Sequence, residues 1–343
     1  MFIKIRKLLD FCILAGIASG AVISVLALLG AFIPLFDVIN HFQLVIMALG
    51  FIALAASFVW PSSLSALKIY GRKLVVFILF CSLIVLGPEI LGRLTKEDPA
   101  DYKAVAGTTE PVRLMSFNIY MGTWDRQGLA DTVIKANPDI VTLQEFAPKR
   151  FRNQPDLKRA YPHQATCQSW RVCSLGILSK HRITDIKSYQ LGSSSQRNPL
   201  HGKLLAVTVH PKGAQPFRLY NVHLTWPLPL REKQGQLEKL TQILKSERKK
   251  WPLQVLAGDF NSTSWAFRLR DFSQETAMWR RDRLLPTFPS PNSVIKHLQL
   301  PALLSLDHFF TSPQIGVGDV VRISAPIGDH WPIAGTLYIP KFP

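Results

Sequence analysis

At 343 residues the chain has room for about two domains of ordinary size. Its 40 Lys and Arg against 23 Asp and Glu give a formal net charge of +17, a surplus suited to polyanions or an anionic membrane surface. The 48% hydrophobic fraction averages two unlike parts, apolar runs up to about residue 92 and a mixed apolar and charged texture from about residue 111, which excludes one uniform soluble domain.

Three runs in the first part match a bilayer core, which takes about 20 helical residues: Phe11 to Ile33, Val38 to Trp60 and Leu74 to Leu91. The first carries no charge, the second has Asn40, His41 and Gln43 near its start, and the third ends in Pro88-Glu89. A secretory signal peptide competes for the first run, because Lys4, Arg6 and Lys7 precede it. The run exceeds the usual apolar region of about 7–15 residues, however, and two more follow. Buried helices of a soluble protein are the other alternative. Residues 1–92 are therefore expected to anchor the chain in a lipid bilayer by three helices.

Basic residues flank these runs unevenly. Lys4, Arg6 and Lys7 precede the first, none lies around Pro34 to Asp37, and Lys68, Arg72 and Lys73 separate the second from the third. By the positive-inside rule the N-terminus and second loop are cytoplasmic, and three crossings of a bacterial-type inner (plasma) membrane put the rest outside. Arg93, Lys96 and Lys103 beyond the third run oppose that asymmetry.

A linker at 93–110, rich in small and charged residues, leads into residues 111–343. There, short runs of strand character alternate with helical patterns, with no internal repeat or low-complexity tract. Strands are expected at Arg113 to Ile119, Asp139 to Glu145, Leu175 to Ser179, Leu204 to Val209, Arg218 to Leu224, Leu253 to Gly258, Leu306 to Phe310 and Ile333 to Tyr338. Gln127 to Lys135 and Leu230 to Arg248 read as amphipathic helices, the first stopped by Asn137-Pro138. Many strands and few helices predict an α+β fold, two packed mixed sheets flanked by helices in an α/β/β/α sandwich, rather than one doubly wound sheet.

Six polar clusters stand at or just beyond these strands: Asn118, Glu145, His223, Asp259 with Asn261, Asp307 with His308, and Asp329 with His330. Singly, each has a dull explanation as a turn former or a satisfied core residue. Together they are complementary. Phosphoester hydrolysis needs a cation to offset phosphate charge, a base to prepare water and donors for the transition state. Carboxylates and amide oxygens suit hard cations such as Mg²⁺ or Mn²⁺, and an imidazole beside a carboxylate can be oriented and kept charged by it.

At these residues the chain resembles the endonuclease/exonuclease/phosphatase family. The matching segments are Leu114-Met115-Ser116-Phe117-Asn118-Ile119, Asp139-Ile140-Val141-Thr142-Leu143-Gln144-Glu145, Asn221-Val222-His223-Leu224, Gly258-Asp259-Phe260-Asn261, Ser305-Leu306-Asp307-His308 and Gly328-Asp329-His330-Trp331-Pro332, in family order. The resemblance implies Glu145 as principal metal ligand with Asn118 beside it, and His223 and Asn261 on the phosphate. Asp259 would orient or deprotonate the attacking water, Asp307 would orient His330, and Asp329 would complete the pocket. Either Asp259 or His330 can be the base. His308 is expected on the opposite face of its strand. Many relatives have Ser and Arg where this chain has Gly328 and Trp331, which weakens inference about contacts beside His330. For a mid-domain Tyr or Arg found in some relatives, Arg197, Asn198 and His201 are the candidates.

Cys167 and Cys173 lie close together in a polar stretch, and either pair in an oxidising compartment or remain free thiols, whereas Cys12 and Cys81 sit in apolar runs. From Pro111 onward there are 31 Lys and Arg against 16 Asp and Glu, or +15. Lys149, Arg150, Arg152, Lys158 and Arg159 form one cluster and Arg248, Lys249 and Lys250 another, readable also as solvated surface. The expected function is thus a membrane-tethered, metal-dependent phosphodiesterase or nuclease. A phospholipid head-group hydrolase is the enzymatic alternative, and an inactive nucleic-acid or membrane binding module the non-enzymatic one. No protein partner is inferable.

Overall fold

The computed structural model describes residues 2–60, 67–95, 107–147, 154–167, 174–192, 201–293 and 295–342. The chain divides into two units, Met1–Leu94 with Trp265–Arg268, and Thr95–Ser264 with Leu269–Pro343.

The described residues of the first unit include the α-helices α1 (Phe2–Leu29), α2 (Pro34–Asn40), α3 (Gln43–Val59) and α4 (Arg72–Thr95), the last preceded by a π-helical turn at Leu67–Gly71. Two stretches, Ile5–Leu29 and Lys68–Thr95, are long and apolar enough to cross a membrane. The expected second span is not one straight helix. Helices α2 and α3 are bent by 56° at their junction and make a third span only when taken together. Its polar start explains the break. The Asn40 amide donates to Ala27 O (3.0 Å) and to Asp37 Oδ1 (2.8 Å), and Gln43 donates to Asn40 Oδ1 (3.0 Å), side-chain bonds that replace backbone ones where the ladder stops. The first expected span is shifted toward the N-terminus, to Ile5–Leu29: α1 ends at Leu29, and Pro34 at the start of α2 cannot supply the N–H a continuous helix would need.

The second unit contains β1 (Thr109–Asn118), α5 (Arg126–Ala136), β2 (Ile140–Gln144), α6 (Pro155–Ala160), β3 (His163–Thr166), β4 (Leu175–Ser179), β5 (Arg182–Gln190), β6 (Lys203–His210), β7 (Phe217–His223), α7 (Leu230–Glu247), β8 (Gln254–Asp259), α8 (Phe267–Thr276), β9 (Trp279–Arg280), β10 (Asp307–Thr311), β11 (Gly316–Val317), β12 (Val321–Arg322) and β13 (Ile333–Pro340). One sheet has the order β11-β13-β1-β2-β4-β3, with β12 also on β13, and the other β5-β6-β7-β8-β10-β9. The result is an α+β sandwich of two packed mixed sheets.

Alternation along the strands places the cores. On β1, Val112 and Leu114 enter the core that also holds Leu205, Leu219 and Val255 of the other sheet, while Met115 and Phe117 enter a second core with Leu129 and Val133 of α5. Helix α5 begins where Asp125 accepts from Gly128 N (2.8 Å) and ends at Asn137 in left-handed conformation. On the second sheet, α8 packs Phe272 against Phe260 and Phe310.

Each sheet has one parallel pair joined by a helix, β1–α5–β2 and β7–α7–β8. In these pairs Asn118 stands opposite Gln144 and His223 opposite Asp259, and the antiparallel neighbour β10 sets Asp307 opposite Asp259. Buried amides tie the sheets together below these ends: Gln144 Nε2 donates to Asn221 Oδ1 (2.7 Å), and Asn221 Nδ2 donates to the carbonyls of Leu143 and Gly176 (2.9 Å each).

Candidate active site

The strand ends converge on one polar centre. Asn118 Nδ2 donates to Glu145 Oε1 (3.2 Å) and to Asp259 Oδ2 (3.0 Å), bridging the two sheets. Glu145 follows β2 at φ +53°, a left-handed conformation that an L side chain occupies at a cost, and its second oxygen accepts from Met121 N (2.8 Å). Asp259 Oδ1 accepts from Asn261 N (2.7 Å), and His223 Nε2 lies 3.6 Å from Asp259 Oδ2 and 3.5 Å from Asn261 Nδ2. His330 Nδ1 donates to Asp307 Oδ2 (2.8 Å), leaving Nε2 at 3.9 Å from Asp259 Oδ2. Asp329 and His330 lie in the loop before β13 rather than on a strand. Gly328 there adopts φ +81°, and a Cβ would stand 2.7 Å from the Phe117 ring, so the departure from Ser at this position fits a close approach to β1.

His308 faces away from this centre, as its neighbour's facing requires. Its Nδ1 meets Asp282 Oδ2 at 2.6 Å and its Nε2 meets Ser262 O at 2.8 Å. A carboxylate thus holds the ring on one side and a backbone carbonyl on the other.

The electrostatics are those of crowded carboxylates. Burial raises Asp259 to about 7; His330 opposes the shift and Asp307 adds to it. Burial likewise raises Asp329 to about 6, with His330 opposing and Glu145 adding. For His330 burial disfavours charge, but Asp307 and Asp259 outweigh it and push the ring up to about 10. Burial holds His223 well below its ordinary value and His201 down at about 4.

Buried carboxyl oxygens of Asp307 and Asp329, Oδ1 in each, have no hydrogen-bond partner among the described residues. A divalent cation would supply what they lack, and the donors Asn118, Glu145, Asp259, Asp307 and Asp329 are mainly the oxygens a hard cation prefers. Among the described residues, Asp259, Asp307 and His330 also form one group with the spacing of metal ligands, and Glu145, His201 and His223 another.

Three contributions were not legible as functional in the sequence. Lys233 of α7 sends its buried ammonium to the carbonyls of Thr225 (2.9 Å), Phe260 and Asn261 (3.4 Å), on the loops that follow β7 and β8. Gln144 and Asn221 bridge the sheets. Only their places inside the matched motifs hinted at a role. Arg197, Asn198, Cys173, Lys149, Arg150 and Arg152 lie outside the described residues; Cys167 is disulfide-bonded, and Cys12 and Cys81 are free thiols.

A family model described as the Endonuclease/Exonuclease/phosphatase family matches residues 115–330. No curated protein sequence matches the chain. Among solved structures, the fold is similar to that of SmcL, with 20% identity over 66% of this chain and 98% of that one at a TM-score of 0.53. Truncated Caenorhabditis elegans TDP2 matches at 18% identity over 66% and 97%, with a TM-score of 0.50. The catalytic domain of human nocturnin, which carries a bound sulfate anion, matches at 15% over 66% and 94%, with a TM-score of 0.52.

Proposed function

We propose, on the premise that this chain belongs to the endonuclease/exonuclease/phosphatase family, that it is a divalent-metal-dependent phosphodiesterase tethered to a membrane by its N-terminal helices. The observation that carries this reading is the convergence of Asn118, Glu145, Asp259, Asp307 and His330 through direct contacts spanning both sheets. Mg²⁺ or Mn²⁺, held by Glu145 with Asn118, would neutralise phosphate charge. The remaining steps belong to side chains. Asp307 fixes the His330 ring so that Nε2 faces the centre beside Asp259, where the charged ring donates to a phosphate oxygen. Asp259, with Asn261 N on its other oxygen, orients the attacking water and takes up its proton. His223 and Asn261 donate to the phosphate from the second sheet.

A phospholipid head group is the second reading, favoured by exposed apolar side chains on the loops leaving the site. Trp124 after β1 is 67% exposed, and Trp226 and Leu228 after β7 are 64% and 54% exposed. Indole rings suit the boundary between water and lipid. The charge of +15 from residue 111 onward suits nucleic acid and anionic lipid alike. We place the catalytic unit on the non-cytoplasmic side of the plasma membrane. The basic residues flanking the first apolar run support this, as does the disulfide at Cys167, which suits an oxidising compartment.

The test is hydrolysis of a chromogenic phosphodiester by the full chain in detergent. Turnover should require Mg²⁺ or Mn²⁺, stop in excess chelator, and be nearly abolished by Glu145→Gln without a change in thermal unfolding. Full activity in chelator refutes the metal assignment, and no activity with any divalent cation favours an inactive binding module. Comparison of phospholipid vesicles with nucleic acid then selects the substrate.

A further inference from the structure

We propose that Glu145, His201 and His223 form a binding site for a transition-metal ion of the Zn²⁺ class, which competes with the hard cation for Glu145. One ligand atom from each residue, a carboxylate oxygen and two ring nitrogens, lies within 4.8 Å of the others. None of the roles set out above uses His201.

The backbone explains why the three meet. Glu145 turns out of the end of β2 in its left-handed conformation. His201 precedes β6, and Gly202 N donates to His223 O (2.8 Å), where β6 pairs with β7. The two imidazoles stand edge to face with ring centroids 4.2 Å apart, and both are buried. Buried ring nitrogens are ordinarily hydrogen-bonded, yet Nδ1 of His223 has no such partner among the described residues.

Ligand chemistry identifies the class of ion. Two imidazoles and one carboxylate, with a position left open, are a donor set found in zinc hydrolase sites. Mg²⁺ prefers an octahedron of oxygens and keeps much of its water, so it gains little from the imidazoles. Nitrogen donors shift relative affinity toward the later first-row ions. Both rings are held neutral by burial, the form in which an imidazole ligates. Occupation would draw Glu145 away from the hard cation and His223 away from phosphate, so Zn²⁺ should inhibit turnover supported by Mg²⁺. That consequence rests on the function proposed above; the site itself does not.

Co²⁺ is an optical probe for such a site and needs no substrate. Added to the full chain in detergent, it should give the intense visible ligand-field bands of a low-coordinate complex, and Zn²⁺ or a large excess of Mg²⁺ should remove them. His201→Phe, which keeps a ring against His223, should weaken Co²⁺ binding at least roughly 100-fold. Asp307→Asn, which disrupts the Asp259, Asp307 and His330 group instead, should leave the bands in place. Absence of the bands from the native chain overturns the proposal, as does their survival in His201→Phe or their loss in Asp307→Asn. Bands that resist Mg²⁺ refute the sharing of Glu145. A chain that binds Co²⁺ through His201 but hydrolyses no phosphodiester refutes the enzymatic reading and leaves this site standing.

Discussion

Replacing Lys233 by Met, which keeps the length of the side chain and removes its ammonium, should loosen the loops of the candidate site. The ammonium reaches the carbonyls of Thr225, Phe260 and Asn261. Hydrogen bonds from a charged donor contribute about 1.5–3 kcal/mol each, so three amount to roughly 5–9 kcal/mol. Burial opposes this. It drives the amine down from 10.5 to about 7, with Asp259 pulling the other way, and that fall corresponds to roughly 5 kcal/mol against the charged form. The net contribution is about 0–4 kcal/mol. Met also leaves three carbonyls facing a thioether, so we expect about 2–4 kcal/mol of destabilisation. For a unit of this size that lowers the unfolding midpoint by roughly 5–15 °C. Turnover should fall about 10–100-fold, because displacing a catalytic group by about 1 Å can cost 100-fold. Thermal unfolding followed by tryptophan fluorescence, with kinetics well below the midpoint, measures both. Unchanged midpoint and turnover would show that the ammonium is a spectator.

Asp307 and His330 should behave as one device. Asp307→Asn and His330→Ala should each reduce turnover by roughly 10²–10⁴-fold, and the double variant should be little worse than the poorer single; losses that multiply would mean independent roles. His308→Ala should act on stability, by about 1–3 kcal/mol, since it takes one partner from buried Asp282, which keeps Arg280 and Phe309 N; a fall in turnover per folded molecule would contradict this. Burial raises Asp282, but His308 and Arg280 outweigh it and hold the carboxyl at about 2. A folded value below the unfolded 3.8 means stability that is present above about 4 and lost as pH falls toward 2, so His308→Gln should flatten acid unfolding in that window. An identical slope in the variant would assign acid sensitivity elsewhere.

Much of this centre was readable because its residues sit at ends of strongly patterned strands. Asn118, His223 and Asp259 each end a strand that is buried up to that residue, and Glu145 directly follows another. Irregular and short elements escaped the same reasoning. Strand β5 is half-exposed with a register shift between Thr184 and Lys187, so its period is interrupted, and β9, β11 and β12 have two residues each. The bend between α2 and α3 was hidden by composition. Hydropathy averages over Asn40 and Gln43, whereas their side-chain hydrogen bonds decide whether the helix continues. Lys233 was unreadable for a different reason. A lysine among Arg231, Glu232 and Lys239 looks like helix surface until the fold turns that face inward.

The amide bridge between Gln144 and Asn221 bears on how such a centre could be moved or remodelled. Apolar contacts between facing sheets tolerate small slides, whereas hydrogen bonds from one carboxamide to Leu143 O and Gly176 O lose strength quickly with angle. Beside the direct bond from Asn118 to Asp259, the alignment of Asn118 and Glu145 with His223 and Asp259 is therefore held by two residues that need never touch a substrate. Grafting the acids and imidazoles onto another sandwich without this pair would transplant the chemistry and leave its ruler behind.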